Sequence, residues 1–159
     1  MAASRRRLIL EEFRTRLQKI QTNNGFLTDA GDTIFLGEHV TLGPDDPDTA
    51  LAIVVEEDFR KPSSQGMGSG ALAAVEITLP VSVHALAKAD LDEPLLAQED
   101  VIDDIERAIE LADRTLGGLV GELTQGSVTP LEREEGSTVV GAAVAYSVVY
   151  SKKWGDPAA

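Results

Sequence analysis

STVVGAAVAYSVVY, residues 137–150, alternates its side chains with a period of two. Val140, Ala142, Val144, Tyr146, Val148 and Tyr150 fall on one face, and Gly141, Ala143, Ala145, Ser147 and Val149 on the other. β-Branched and aromatic residues at that spacing predict one long strand. Neither face carries a charge. A strand whose second face is small and apolar expects cover on both sides, so it belongs either inside a sheet or against a neighbouring subunit.

Two further extended segments fit beside it. Residues 72–87, LAAVEITLPVSVHALA, place Val75, Ile77, Leu79, Val81 and Val83 on one face, and residues 49–57, TALAIVVEE, form a second strand that pairs with it antiparallel. Between them, the Gly and Ser content of DFRKPSSQGMGSG predicts a flexible hairpin loop over 60–70. Gly66, Gly68 and Gly70 form a G-x-G-x-G that neither follows a strand directly nor opens a helix, so it makes a poor phosphate cradle. At about 3.3 Å per residue the 72–87 strand is roughly 50 Å long, whereas a compact domain of this size is about 39 Å across. The long strands must bend, with Pro80 and Gly141 as bulge positions, or overhang and meet another subunit.

Helical periodicity occurs twice. Residues 4–21 carry Ile9, Phe13, Leu17 and Ile20 on one face, Arg and Lys on the other, Ser4 as a cap and Asn23, Asn24 and Gly25 as stop signals. Residues 99–116 carry Val101, Ile102, Ile105, Ala108, Ile109, Ala112 and Leu116 inward, with Gly117 and Gly118 ending the helix. The segment 88–98, with Pro94, reads as a connection. Residues 26–42 read as two short extended pieces around an Ala30-Gly31-Asp32 turn, 119–123 as a short strand, and 124–136 as an acidic loop. The expectation is a single α+β domain over 1–159: a mostly antiparallel or mixed sheet packed against two amphipathic helices, with a short tail at 151–159.

Charge is unevenly placed. Residues 1–20 carry six basic and two acidic side chains, the middle six basic and 24 acidic, and residues 151–159 two basic and one acidic. The local charges of +4, −18 and +1 make up the total of −13. So acidic a body repels a phosphate backbone and argues against specific nucleic-acid binding. A basic helix beside it either docks on a neighbour's acidic surface or presents a solvated face.

With no cysteine, thiolate zinc sites, disulfides and a Cys nucleophile are excluded. No apolar run approaches the ~20 residues of a membrane span, and the run after Arg5, Arg6 and Arg7 stops at Glu11, too short for a signal peptide. This reads as a cytosolic product without a membrane partner. The aspartates of GPDDPD, 43–48, lack the glycine and distal glutamate of a calcium loop. His39 and His84, the two histidines, read as satisfied or exposed surface residues. No nucleophile-elbow, zinc-helix or P-loop signature occurs. Catalytic, cofactor-binding and metal residues are accordingly expected to be none.

In its order of helix, turn, strands, acidic helix and long final strand, the chain resembles the tail terminator proteins of long-tailed bacteriophages, the lambda-like tail-completion group. The resemblance rests on NNGFLTDAGDTIFLG after the first helix, on the strand pair 49–57 and 72–87 with its long loop, on EDVIDDIERAI, and on GSTVVGAAVAYSVVYSKKWGDP. It implies a virion subunit at the head-tail junction, assembled in the host cytoplasm. Such subunits close as a homohexameric ring on the tail tube, stop its polymerisation and face the head connector, while DNA passes without specific binding. Arg5, Arg6, Arg7, Gly66, Met67, Gly68, Tyr146, Tyr150 and Trp154 become candidate subunit or tube contacts, and Asp103, Glu106, Glu110 and Asp113 candidate channel-lining acids. Alternative readings are another neck or tail component, such as a head-tail joining protein, and an acidic inhibitor that mimics nucleic acid. An enzyme with a carboxylate site at Asp103 or Asp104 is a third.

Overall fold

A computed structural model of the chain describes residues 2–39, 42–62, 74–89, 92–133 and 137–157. It contains helices α1 (Arg5–Leu17) and α2 (Pro94–Glu110) and strands β1 (Ile34–Leu36), β2 (Thr49–Val55), β3 (Phe59–Pro62), β4 (Ala74–Lys88), β5 (Glu122–Pro130) and β6 (Val139–Lys153). The strands form one mixed sheet in the order β1-β2-β4-β6-β5, with β3 also on β4. Only β1 and β2 are parallel; the other pairs are antiparallel. The result is a single α+β domain with two helices on an open sheet.

β4 and β6 pair without a register shift from Ala74↔Lys153 to Lys88↔Val139. The expected bulges at Pro80 and Gly141 are therefore absent. Pro80 is tolerated because of the side on which it lacks a donor. Its carbonyl accepts from the Glu56 amide at 3.1 Å, away from β6, and the N and C=O of one residue in an antiparallel strand point the same way. The missing N–H thus faces the place where β2 ends and β3 has yet to begin. The irregularity in register lies instead in β5, between Gln125 and Val128.

The alternation in the sequence becomes two unlike sheet faces. Val75, Ile77, Leu79, Val81 and Val83 of β4 and Val140, Ala142, Val144, Tyr146, Val148 and Tyr150 of β6 are buried against Ile9, Phe13 and Leu17 of α1 and Val101, Ile105 and Ile109 of α2. On the other face a smaller cluster of Leu42, Ala50, Leu86 and Val139, with Phe35 and Leu131, covers one end. The middle of that face, at Ala143, Ala145, Ser147 and Val149, is half-buried between neighbouring strands. β6 therefore lies inside the sheet, with helices on one face only.

Several boundaries differ from the sequence expectation. α1 has its Ser4 cap, the hydroxyl accepting from the Arg7 amide at 3.2 Å, but ends at Leu17. Among the described residues of 26–42, Ile34–Leu36 alone is a strand, and Ala30–Asp32 is a 3₁₀ turn. β3 occupies the start of the expected flexible loop, and Gly66, Met67 and Gly68 lie outside the described residues. β5 replaces most of the expected acidic loop. The last strand runs on to Lys153, three residues into the expected tail. α2 starts at Pro94 rather than at 99, because proline lacks only the N–H that a first helical turn leaves unused. It stops at Glu110, where Asp113 nucleates a turn by accepting from the Thr115 and Gly117 amides at 2.9 and 3.1 Å.

Two polar residues tie the helices down. Arg16, 5% exposed, donates to the carbonyls of Ile109 at 3.2 Å and Asp113 at 2.6 Å and to Glu12 at 3.1 Å, so α1 caps the end of α2. Gly31 brings the following turn against the end of α1: its amide donates to the Ile20 carbonyl at 2.9 Å, and a Cβ there would meet the Leu17 and Ile20 carbonyl oxygens, the latter at 2.7 Å. Gly31→Ala is therefore expected to cost about 1–3 kcal/mol, read as a lower urea midpoint at unchanged slope. A midpoint equal to that of the wild type would show that this contact is not a tight constraint.

Candidate functional site

The β4–β6 ladder is longer than the strands beside it. β2 ends opposite Val81 and β5 opposite Val149. Past those points, among the described residues, β3 alone flanks the β4–β6 ladder, which continues as an arm to Ala74 and Lys153. The helix-side face of this arm carries Arg60, Pro62, Val75 and Lys152, and with Lys61, Ala74 and Trp154 these residues shape two adjoining recesses, the more apolar about 280 Å³. Trp154 is 72% exposed, and Phe59, on the arm's opposite face, 68%.

The arm is also the basic end of the molecule. The Arg5 guanidinium donates to the Ser151 carbonyl at 3.2 Å, Arg6 pairs with Asp58 at 2.8 Å, and Arg60 pairs with the same carboxylate at 3.1 Å. The Arg60 hydrogen bond, aided by the charge of Arg6, holds the Asp58 carboxyl below its usual range against a smaller effect of burial. Arg7 is exposed and engages Glu11 at 3.0 Å within its own helix. Arg5 and Arg6 are thus both engaged with the arm, the end of the sheet that also carries Trp154. Tyr146 and Tyr150 do not offer a contact. They are 2% and 5% exposed, on the core face of β6, with Phe13 tilted against Tyr146 at 6.1 Å between ring centroids. Burial pushes both phenols up.

The four candidate acids do not form one wall. Asp103 is exposed on α2. Glu106 accepts from Gln125 Nε2 at 3.1 Å. Glu110 lies at a cleft with Arg114, Leu123, Thr124, Gln125 and Tyr146, where the Tyr146 hydroxyl donates to it at 3.5 Å. Burial and the nearby charge of Glu106 raise its carboxyl. Asp113 belongs to the turn after α2, whose hydrogen bonds from Thr115 and Gly117 lower it.

Asp104, weighed in the sequence only as an enzyme residue, is 1% exposed and fully engaged. It accepts from the Leu27 and Thr28 amides at 3.0 and 2.8 Å and from the Thr28 hydroxyl at 2.8 Å. One turn on, Arg107 donates to the Gly25 carbonyl at 2.7 Å and lies 4.9 Å from the Phe26 ring centroid. Together these residues fasten the 25–28 connection to α2. The available signal was spacing: Asp104 shares the inward face of Val101 and Ile105.

At the opposite end from the arm, the 43–48 loop is organised by the Asp46 carboxylate, which accepts from the Gly43 amide at 2.6 Å, and by Lys88, which donates to the Pro44 and Asp46 carbonyls. Among the described residues no group of three or more His, Asp or Glu is placed to hold a metal ion, and no helix is long and apolar enough to cross a membrane. No protein-family model matches the sequence, and comparison with curated proteins finds no match.

His84 is neither satisfied nor exposed. It lies half-buried on the helix-free face opposite Ala52 and Ala143, and its Nδ1 is buried without a hydrogen-bond partner among the described residues. His39 stacks on Phe35 at 3.7 Å between centroids. Burial pushes the His84 imidazole down, opposed by the charges of Glu38 and Glu56. In the unfolded chain it titrates at about 6.5. Its effect on stability is therefore absent above that pH, and stability is lost as pH falls through 6.5 toward the lower folded value. Urea unfolding at pH 7.5 and 5.5 should show a larger loss for the wild type than for His84→Gln; equal losses would mean that the ring protonates freely in the folded state.

Proposed function

We propose that this protein is a tail terminator-like structural subunit, which closes as a homohexameric ring on the end of a phage tail tube, stops its growth and presents the tail side of the head-tail junction. The carrying observation is the arm: the end of the β4–β6 ladder past β2 and β5, edged by β3, where an apolar recess lies beside the exposed Trp154. A surface of that kind on one end of an otherwise closed domain suits a heterologous contact, in which unlike patches of successive copies meet and the rotation closes a ring. The element order that carried the family resemblance also supports the reading. Helix, turn, strands, acidic helix and long last strand occur in that sequence along the chain.

In this reading the acidic body has a second use, since it would let DNA pass without adhering. Glu110 and Asp113 are occupied within the subunit, so a channel wall would draw on other carboxylates of the body.

Light scattering across protein concentration and salt, with negative-stain images of the same samples, tests the proposal. The expected result is a six-fold mass with ring-shaped particles, and binding of those particles to the ends of purified tail tubes. A monomer under all conditions that also ignores tail tubes would remove the reading.

A further inference from the structure

The recess at the end of the arm is apolar and leaves Trp154 exposed, and the chain carries a helix surface that matches it. α2 follows β4 at the far end of the ladder, beyond Lys88, and its first turns face outward: Leu95 is 64% and Leu96 58% exposed. Leu96, Asp100 and Asp103 recur at helical spacing along one stripe, with Leu95 and Glu99 beside them and Glu93 at the start. This is an apolar step rimmed by carboxylates. The recess on the arm is its complement, with Pro62, Ala74, Val75 and Trp154 rimmed by Arg60 and Lys152, while Lys61 pairs with Glu76 on the other face at 3.1 Å.

We propose that the first turns of α2 from a second copy of this chain dock in the Trp154 recess of the arm, head to tail. The inference deepens the ring reading and rests on it for the closure of the contact. Three observations converge. The recess opens beside Pro62 and Val75 on the helix side of the sheet, at the end where α1 begins, so an incoming helix would pack next to the subunit's own helical layer. The rims have opposite charge, and they do so in a chain of net charge −13, where self-association must otherwise overcome repulsion. The two patches sit at opposite ends of the β4–β6 ladder, so each copy offers one of each and no copy can satisfy its own. An aromatic anchor in an apolar recess within a charged rim is also the arrangement that concentrates binding energy at interfaces. On this placement Asp103 is a subunit contact and not part of a channel wall.

The proposal is tested by exchanging the charges. Lys152→Glu reverses a charge on the rim of the recess, and Asp100→Lys/Asp103→Lys reverses the helix stripe; all three side chains lie at or near the surface, and far-UV circular dichroism checks that each variant is folded. Each variant alone should associate roughly a hundredfold more weakly than the wild type, and an equimolar mixture should regain the wild-type mass as an alternating assembly. Trp154 is the one tryptophan of the chain, so its emission should shift to the blue as wild-type concentration rises through assembly. Folded variants that form rings like the wild type's would overturn the docking and leave the ring reading standing. A wild type that remains monomeric on its own and on tail tubes would overturn both. An emission maximum already blue in the dilute monomer would mean that the same chain fills the recess, and would also overturn the docking.

Discussion

Everything in this fold is referred to the unbroken antiparallel ladder between β4 and β6. Its register sends every second residue of both strands to the helical side, and a slip of one residue would exchange the valines and tyrosines of the core for alanine, serine and histidine. Pro80 survives in the middle of it only because its missing donor faces the gap between β2 and β3. Gly141 is held as tightly, since a Cβ there would meet the Ala85 carbonyl at 2.9 Å. The helices then depend on one another as well as on the sheet. Arg16 joins the end of α2 to α1, and Asp104 joins the middle of α2 to the connection after α1, so neither helix is anchored by apolar contacts alone.

The parts of the fold that the sequence made legible are those in which burial is one-sided and periodic. The inward faces of β4, β6 and α1 were all readable, because each places apolar residues at the spacing of its own secondary structure. β3 and β5 left no such signal. All four residues of β3 are exposed, and β5 buries Leu123 alone, so their pairing comes from backbone hydrogen bonds to a neighbour already in place. Proline misled in both directions. Pro94 looked like an interruption and begins a helix, while Pro80 looked like a bulge and lies in a strand whose register does not shift.

The candidate site was legible in composition and hidden in placement. A basic start and a short basic stretch near the end of the chain were visible as sequence, but only the ladder brings Arg5 to Ser151 and Arg60 beside Trp154. The buried polar residues were hidden for a different reason. Arg16 and Asp104 resemble neighbouring surface charges, and the carbonyls and amides that satisfy them come from segments far away in the chain. The two tyrosines failed as contacts because strand parity already committed them to the core.

One hydrogen bond near the arm has a practical meaning. The Arg5 amide donates to the Pro157 carbonyl at 2.9 Å, which holds the first helix beside the turn that follows β6. Polypeptide added before the helix or after that turn would therefore emerge beside Trp154, over the very surface proposed to receive a neighbour. A purification tag at either position is thus a steric competitor for assembly. A circular permutant joined there and opened within the 43–48 loop would carry its new ends at the opposite pole and leave the arm clear.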